Sequence, residues 1–171
     1  MSKFFTTRSL VVTALMIAIS IVLRLLGFPQ NGTFRIELGF IPIAITSFMY
    51  GPLVGGISYL IADVIGTLFT GLTPFPPITV CKFFTGVIFG WFFYRKKVGV
   101  FHIFFCNLVI FLLIDVIAMP FALMPISGGK TFYAILSARL IASLFNIPIR
   151  ILSIWLTFKY INPEKIGGRK F

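Results

Sequence analysis

Read for apolar and polar positions alone, the chain divides into long hydrophobic runs separated by short polar or turn-rich ones. The first run extends from Ser9 to about Phe28 and is closed by PQNGTFRIELG, a stretch of turn residues and charges. A short run from Phe40 to Tyr50 stops at Gly51-Pro52, a helix-breaking pair. The third run is Leu53 to Thr70, followed by the loop GLTPFPP, and the fourth is Ile78 to Tyr94, ended by Arg95-Lys96-Lys97. The fifth runs from Gly99 to about Met124 and precedes PISGGKT; the sixth covers Phe132 to Tyr160, where Pro148 is expected to introduce a kink. A membrane span needs about 20 apolar residues, fewer where protein backs the helix. The pattern therefore predicts six transmembrane helices, in one all-α membrane domain over residues 1–171. No second soluble domain or internal repeat is visible. The apolar stretch from Leu10 to Phe28 is too long for the core of a signal peptide, so it reads as an uncleaved first helix.

Composition strengthens this picture. The chain is 58% hydrophobic, 17% aromatic and 11% charged, with a mean hydropathy of +1.05. A soluble domain is about half apolar and a quarter charged. A globule of 171 residues could not hide this much apolar surface from water, so the solvent for most of it is a lipid bilayer.

The net charge of +11 invites a nucleic-acid reading, which the placement of the charges opposes. A nucleic-acid binder carries a continuous basic face with aromatics on it. Here the basic residues stand at the ends of hydrophobic runs. With the N-terminus inside, the inner flanks hold Lys3, Arg8, Arg95, Lys96, Lys97, Lys159, Lys165, Arg169 and Lys170, while the outer loops hold only Arg35 and Lys130. The positive-inside rule then puts both termini in the cytoplasm. Cys81 and Cys106 lie inside apolar runs, where a thiol acts as a small hydrophobe and reports no redox compartment.

Six charges fall within the predicted spans: Arg24, Lys82, Arg139, Arg150, Asp63 and Asp115. Each costs at least about 2.5–3.5 kcal/mol at the centre of a span, so each wants a partner, a cavity or a task. Arg24, Asp63 and Asp115 come late in outgoing helices, Lys82 and Arg139 early in incoming ones, and Arg150 lies near the middle with Asn146 one turn above it. Two readings stand: helix–helix ion pairs with cations reaching for the surface, or an outward-open pocket. Four positive and two negative charges would suit a small anionic solute, with a carboxylate left to accept from an N–H-rich group. Phe34 and Phe75, on the turn-rich outer loops, could stack on a planar ligand or simply sit in the membrane interface.

Several motifs are missing. There is no G-x-x-x-x-G-K-[ST] loop, so uphill movement of a solute would draw on an ion gradient or a partner. His102 is the lone histidine and no H-E-x-x-H occurs; no G-x-S-x-G or Ser/His/acid set is evident. Ala14 and Ala18 on the first helix, and Gly86 and Gly90 on the fourth, form small-xxx-small pairs suited either to internal packing or to a partner helix.

RIELGFIPIAITSFMYGPLVGGISYLIADVIGTLF, followed by PFPPITVCKFFTGVIFGWFF, resembles the substrate-binding (S) components of energy-coupling factor (ECF) vitamin transporters, most closely the folate-specific ones. The resemblance rests on Arg35-Ile36, Gly39 to Pro42, Gly51-Pro52, Ala62 to Gly66, Phe75-Pro76 and Thr85-Gly86. It covers residues 35 to 93 well. Pro77 departs from it, standing where a folate-type loop is expected to carry glycine, which makes this loop stiffer.

The resemblance implies six helices, an outward-facing vitamin pocket and a first outer loop acting as its gate. It implies a cell-membrane complex with a transmembrane coupling subunit, met by Ala14 and Ala18, and with two ATPase subunits. Those partners would use the ATP that drives toppling of this chain in the membrane; the chain itself would bind no cofactor and act as no enzyme. For folate or a related pterin, a carboxylate matches the paired N–H donors of the pterin edge and cations match the glutamate dianion. Asp63 is thereby assigned to the pterin, and Arg24, Lys82, Arg139 and Arg35 become candidates for the carboxylates. Phe34 and Phe75 would cover the ring system, beside Pro76 and Asn146. Two alternatives stay open: an S component for another small anionic vitamin, and a small membrane enzyme for lipid substrates, with Asp63 and Asp115 holding a metal. Against the second, the two acids form no Asp-x-x-Asp or Asp-x-x-x-Asp cluster.

Overall fold

The computed structural model describes residues 7–26, 38–94, 96, 98–126 and 132–160, with backbone alone at 126, 134, 135, 138, 139, 141, 142, 144 and 145. Among these residues every regular element is helical. Six rods follow in chain order: α1 Thr7–Leu26, α2 Phe40–Tyr50, α3 Pro52–Phe69, α4 Pro76–Phe93, α5 Val100–Leu123 and α6 Phe132–Tyr160. The helices α1, α3, α4 and α5 are each long and apolar enough to cross a membrane. With 29 residues, α6 reaches about 43 Å at 1.5 Å per residue. The chain is built as a multi-pass membrane protein.

Short α2 is the exception. Its 11 residues cover only about 16 Å, half the hydrocarbon thickness, yet it is buried on almost every side, from Phe40 and Ile43 to Phe48 and Met49. It packs against α1, α3, α4 and α6 and forms the centre of the bundle. A helix hydrophobic all round belongs in such a place.

Helix starts follow local chemistry. Pro52 and Pro76 occupy the first turns of α3 and α4, where a missing N–H costs nothing and the fixed φ suits a helix. Both helices therefore begin one or two residues before the predicted Leu53 and Ile78. Gly51, at φ 94°, donates its N–H to the Ser47 carbonyl at 3.0 Å, closing α2 and turning the chain into α3. That left-handed φ favours glycine.

Helices α3 and α4 approach each other closely. A Cβ on Gly86 would stand 2.5 Å from the Gly55 carbonyl oxygen and 2.9 Å from the Gly56 Cα, and Gly90 is pressed against Pro52 in the same way. The small pair Gly86/Gly90 thus serves internal packing. Ser47 on α2 donates to the Gly86 carbonyl on α4 at 3.2 Å, fastening α2 to the same place. At the other end of the bundle, Phe158 packs edge-on against Phe48 and Phe93, joining α6 to α2 and α4. Three other buried hydroxyls are satisfied within their own helices: Thr46, Ser58 and Thr85 each bond the carbonyl four residues back. Away from water such groups have few other partners.

The sequence predicts a plain fifth helix, and the structure differs. From Phe111 to Ala118 the α5 backbone is a π-helix of eight residues, with the Met119 N–H donating to the Ile114 carbonyl. Pro120, which has no N–H to give the preceding turn, stands two residues past its end. Such widened turns are rare and gather at functional sites. Asp115 lies within it.

Candidate functional site

Asp63 is 3% exposed, and both of its carboxylate oxygens are engaged. Arg24 Nη1 donates to Oδ1 at 2.7 Å, and the Thr79 hydroxyl donates to Oδ2 at 3.0 Å. The same guanidinium reaches the Asp63 backbone carbonyl through Nη1 at 3.2 Å and the Thr67 hydroxyl through Nη2 at 3.0 Å. Thr67 in turn donates to the Asp63 carbonyl, one helical turn back. One cluster thus ties α1, α3 and α4 together near the ends that the charge count places outside.

Local sequence makes this cluster possible. Gly66 leaves α3 bare where the arginine stem crosses it; a Cβ there would meet Arg24 Cδ at 3.1 Å. Gly39, just before α2, backs onto α1 in the same region, its carbonyl accepting from Ser20 Oγ at 2.6 Å. The Phe75 carbonyl accepts the N–H groups of Ile78 and Thr79 at 3.0 and 3.2 Å, and so orients the first turn of α4 that carries Thr79. Phe75 itself is half-buried and Pro76 exposed.

One turn further along α4, Lys82 lies over the Tyr59 ring at 5.2 Å from its centroid, with Nζ 3.5 Å from the phenol oxygen. Across the bundle is a second charged pair. Arg150 on α6 and Asp115 in the π stretch approach to 3.8 Å, and the guanidinium stands 5.6 Å from the centre of the Phe40 ring. Asn146 is half-buried one turn above Arg150.

Of the residues singled out in the sequence, the structure brings Arg24 and Asp63 into direct contact, with Lys82 beside them and Phe75-Pro76 at the helix start above. The ion-pair reading of Arg24 and Asp63 is therefore realised. Asp63 and Asp115 do not share a site, since each has its own arginine. Among the described residues no group of three or more His, Cys, Asp or Glu could hold a metal ion. Phe34 and Arg35 lie outside the described residues, and Arg139 is placed on α6 by its backbone alone. The sequence reading missed Thr67, Thr79 and Tyr59. Spacing could have found the first two, since Thr67 follows Asp63 by four residues and Thr79 precedes Lys82 by three, each pair sharing a helix face.

On α1 the side turned away from the bundle carries Val11, Ala14, Leu15, Ala18 and Val22, all exposed. The small pair Ala14/Ala18 is thus on the outer surface, unlike Gly86/Gly90.

Comparison with known proteins gives three concordant results. The family described as ECF transporter, substrate-specific component, matches residues 8–157. The folate transporter FolT of Clostridium novyi (strain NT) is 32% identical over 157 residues, an alignment covering 91% of each chain. Among solved structures, a crystal structure of FolT bound with folic acid superposes with a TM-score of 0.80 at 28% identity, covering 91% of this chain and 95% of that one.

Proposed function

Because this chain belongs to the ECF transporter substrate-specific components, we propose that it binds folate or a related pterin with high affinity and serves its uptake across the cell membrane. The observation that carries this proposal is the near full-length likeness to FolT, in sequence and in fold. An excess of cations over acids among the charges within the spans supports it, since folate is a dianion at neutral pH.

The geometry sharpens the residue assignments. Folate holds its pterin and its glutamate at opposite ends of an extended molecule. Arg24 and Asp63 touch, so the two serve one end together. Asp63 goes with the pterin edge, and Arg24 becomes the group that holds and charge-balances it. Reaching the buried carboxylate requires Arg24 or Thr79 to turn aside. Lys82, beside Asp63, goes with the same end, and carboxylate recognition falls to Arg139 and Arg35, with Phe34, Phe75 and Pro76 closing over the rings and Asn146 adding a polar contact.

Transport in this scheme belongs to a complex. With both termini cytoplasmic, the exposed Ala14/Ala18 surface meets a transmembrane coupling subunit, and two ATPase subunits hydrolyse the ATP that drives toppling of the bundle. The decisive experiment is direct titration of the detergent-purified protein with folate, thiamine, riboflavin and pantothenate. Folate alone should bind tightly, and at 100 times its Kd it should stabilise the fold by about 2.7 kcal/mol. Folate affinity no tighter than about 1 mM, some −4 kcal/mol of binding, would overturn the substrate assignment while leaving the family intact.

A further inference from the structure

Arg150 is the one cation within the predicted spans that the assignments above leave without a task. Its side chain is 18% exposed, and Nε and Nη1 are buried without a hydrogen-bond acceptor. Asp115 balances its charge at 3.8 Å, a separation beyond hydrogen-bonding range. The guanidinium is therefore neutralised at a distance while the donors on Nε and Nη1 stay unused.

The remaining exposure of Arg150 faces inward. The outer stripe of α6 in this region is Pro148, Leu152 and Leu156, all exposed. At about 100° per residue, Arg150 sits roughly 200° from both Pro148 and Leu152, on the far side of the helix. Its own side carries the buried Ser143 and Ile154. Phe40 lies against it from α2, and the neighbouring Gly39 backs onto Arg24 on the opposite side. The start of α2 thus separates two polar centres, one around Asp63 and one around Arg150.

We infer that Arg150 receives a carboxylate of the transported ligand at the end of the pocket opposite Asp63. This rests on the folate assignment above and deepens it. A guanidinium with free donors, held in a weakly polar surrounding by one distant carboxylate, is set up for charge-assisted hydrogen bonds to an anionic oxygen. Asp115 fixes its position without occupying the donors on Nε and Nη1, and Phe40 supports its face. A ligand carrying an N–H-rich ring at one end and carboxylates at the other matches the two centres in their order.

The test is a cycle of two proteins and two ligands, read by titration of the purified full chain. Wild type and Arg150→Gln are each titrated with folate and with folic acid dimethyl ester, which lacks both charges. Arg150→Gln should weaken folate by about 10- to 100-fold, the range of a lost hydrogen bond to a charged group. It should leave the ester's affinity within about twofold, inside the spread of additive, independent effects. Equal losses for both ligands, or no loss for folate, would overturn the assignment. Failure of the wild type to bind folate would overturn it together with the proposed function, and the two failures are told apart by that first titration. Should Arg150→Gln not fold, Arg150→Lys decides. It keeps the charge but loses the planar fork, so a loss confined to folate supports the inference and equal losses for both ligands refute it.

Discussion

Arg24 on α1 and Asp63 on α3 are joined at 2.7 Å, and the same guanidinium nitrogen also reaches the Asp63 backbone carbonyl. Helices 39 residues apart in sequence at this point are thus tied both by charge and by backbone. Removing one partner of a buried pair typically costs about 3–5 kcal/mol, because the other is left charged and alone. Arg24→Gln and Asp63→Asn should each lower the thermal stability of the purified protein, and the double variant should lose clearly less than the sum. Strictly additive losses would mean that the pair is not coupled. If Asp63 holds the pterin edge, Asp63→Asn should also weaken folate by about 1–3 kcal/mol.

The Thr79 hydroxyl is the second donor to Asp63, at 3.0 Å. Thr79→Val keeps the shape and leaves Oδ2 without that bond, so a loss of about 1–3 kcal/mol in stability is expected. Thr79→Ser should restore most of it. Serine and valine variants of equal stability would show that the hydroxyl contributes little.

Gly86 permits the close approach of α3 and α4. Gly86→Ala places a methyl group against the Gly55 backbone, which has no flexible end to move away. Overpacking of this kind costs about 1–3 kcal/mol. The expected outcome is a drop in unfolding temperature in detergent larger than that of an alanine placed at exposed Gly99, where an added Cβ would meet only His102 Nδ1 at 4.0 Å.

Ala14 and Ala18 lie on the exposed side of α1. Ala14→Leu and Ala18→Leu should leave folate binding by the isolated chain unchanged, since neither side chain enters the bundle. In vesicles containing the complete transporter, the same variants should abolish ATP-driven folate uptake. Unimpaired uptake would remove this face from the coupling interface.

The charge pattern carried much of this structure in legible form. Apolar runs closed by Gly51-Pro52 and by the Arg95-Lys96-Lys97 turn mark the rods, because glycine, proline and clustered charge each end a membrane helix for a local physical reason. The depth of Asp63 and Arg24 could also be read, since position along a span fixes height. Their pairing could not, because rotation of one helix against another depends on packing at distant residues such as Gly39 and Gly66. The same holds for Gly86/Gly90 and Ala14/Ala18: identical spacing, opposite roles, separated only by which face meets the bundle. No signal in FLLIDVIA distinguishes a widened turn from an ordinary one.

That widened turn couples the winding of the fifth helix to its residue count. Its buried positions step by three or four residues through Ile103, Asn107, Ile110 and Ile114, and then by five to Met119. The surplus residue keeps the two halves of the rod facing the same interior. Rewinding the same residues between Phe111 and Ala118 as ordinary α-helix, with none removed, would rotate everything from Met119 onward by about 100°. Phe121, now at the surface, and Ala122, now inside, would leave their present sides, and Asp115 would lose its register with Arg150. In this segment residue count and winding are matched to each other: the chain can lose one residue and keep both faces only if the widened turn closes to an ordinary one.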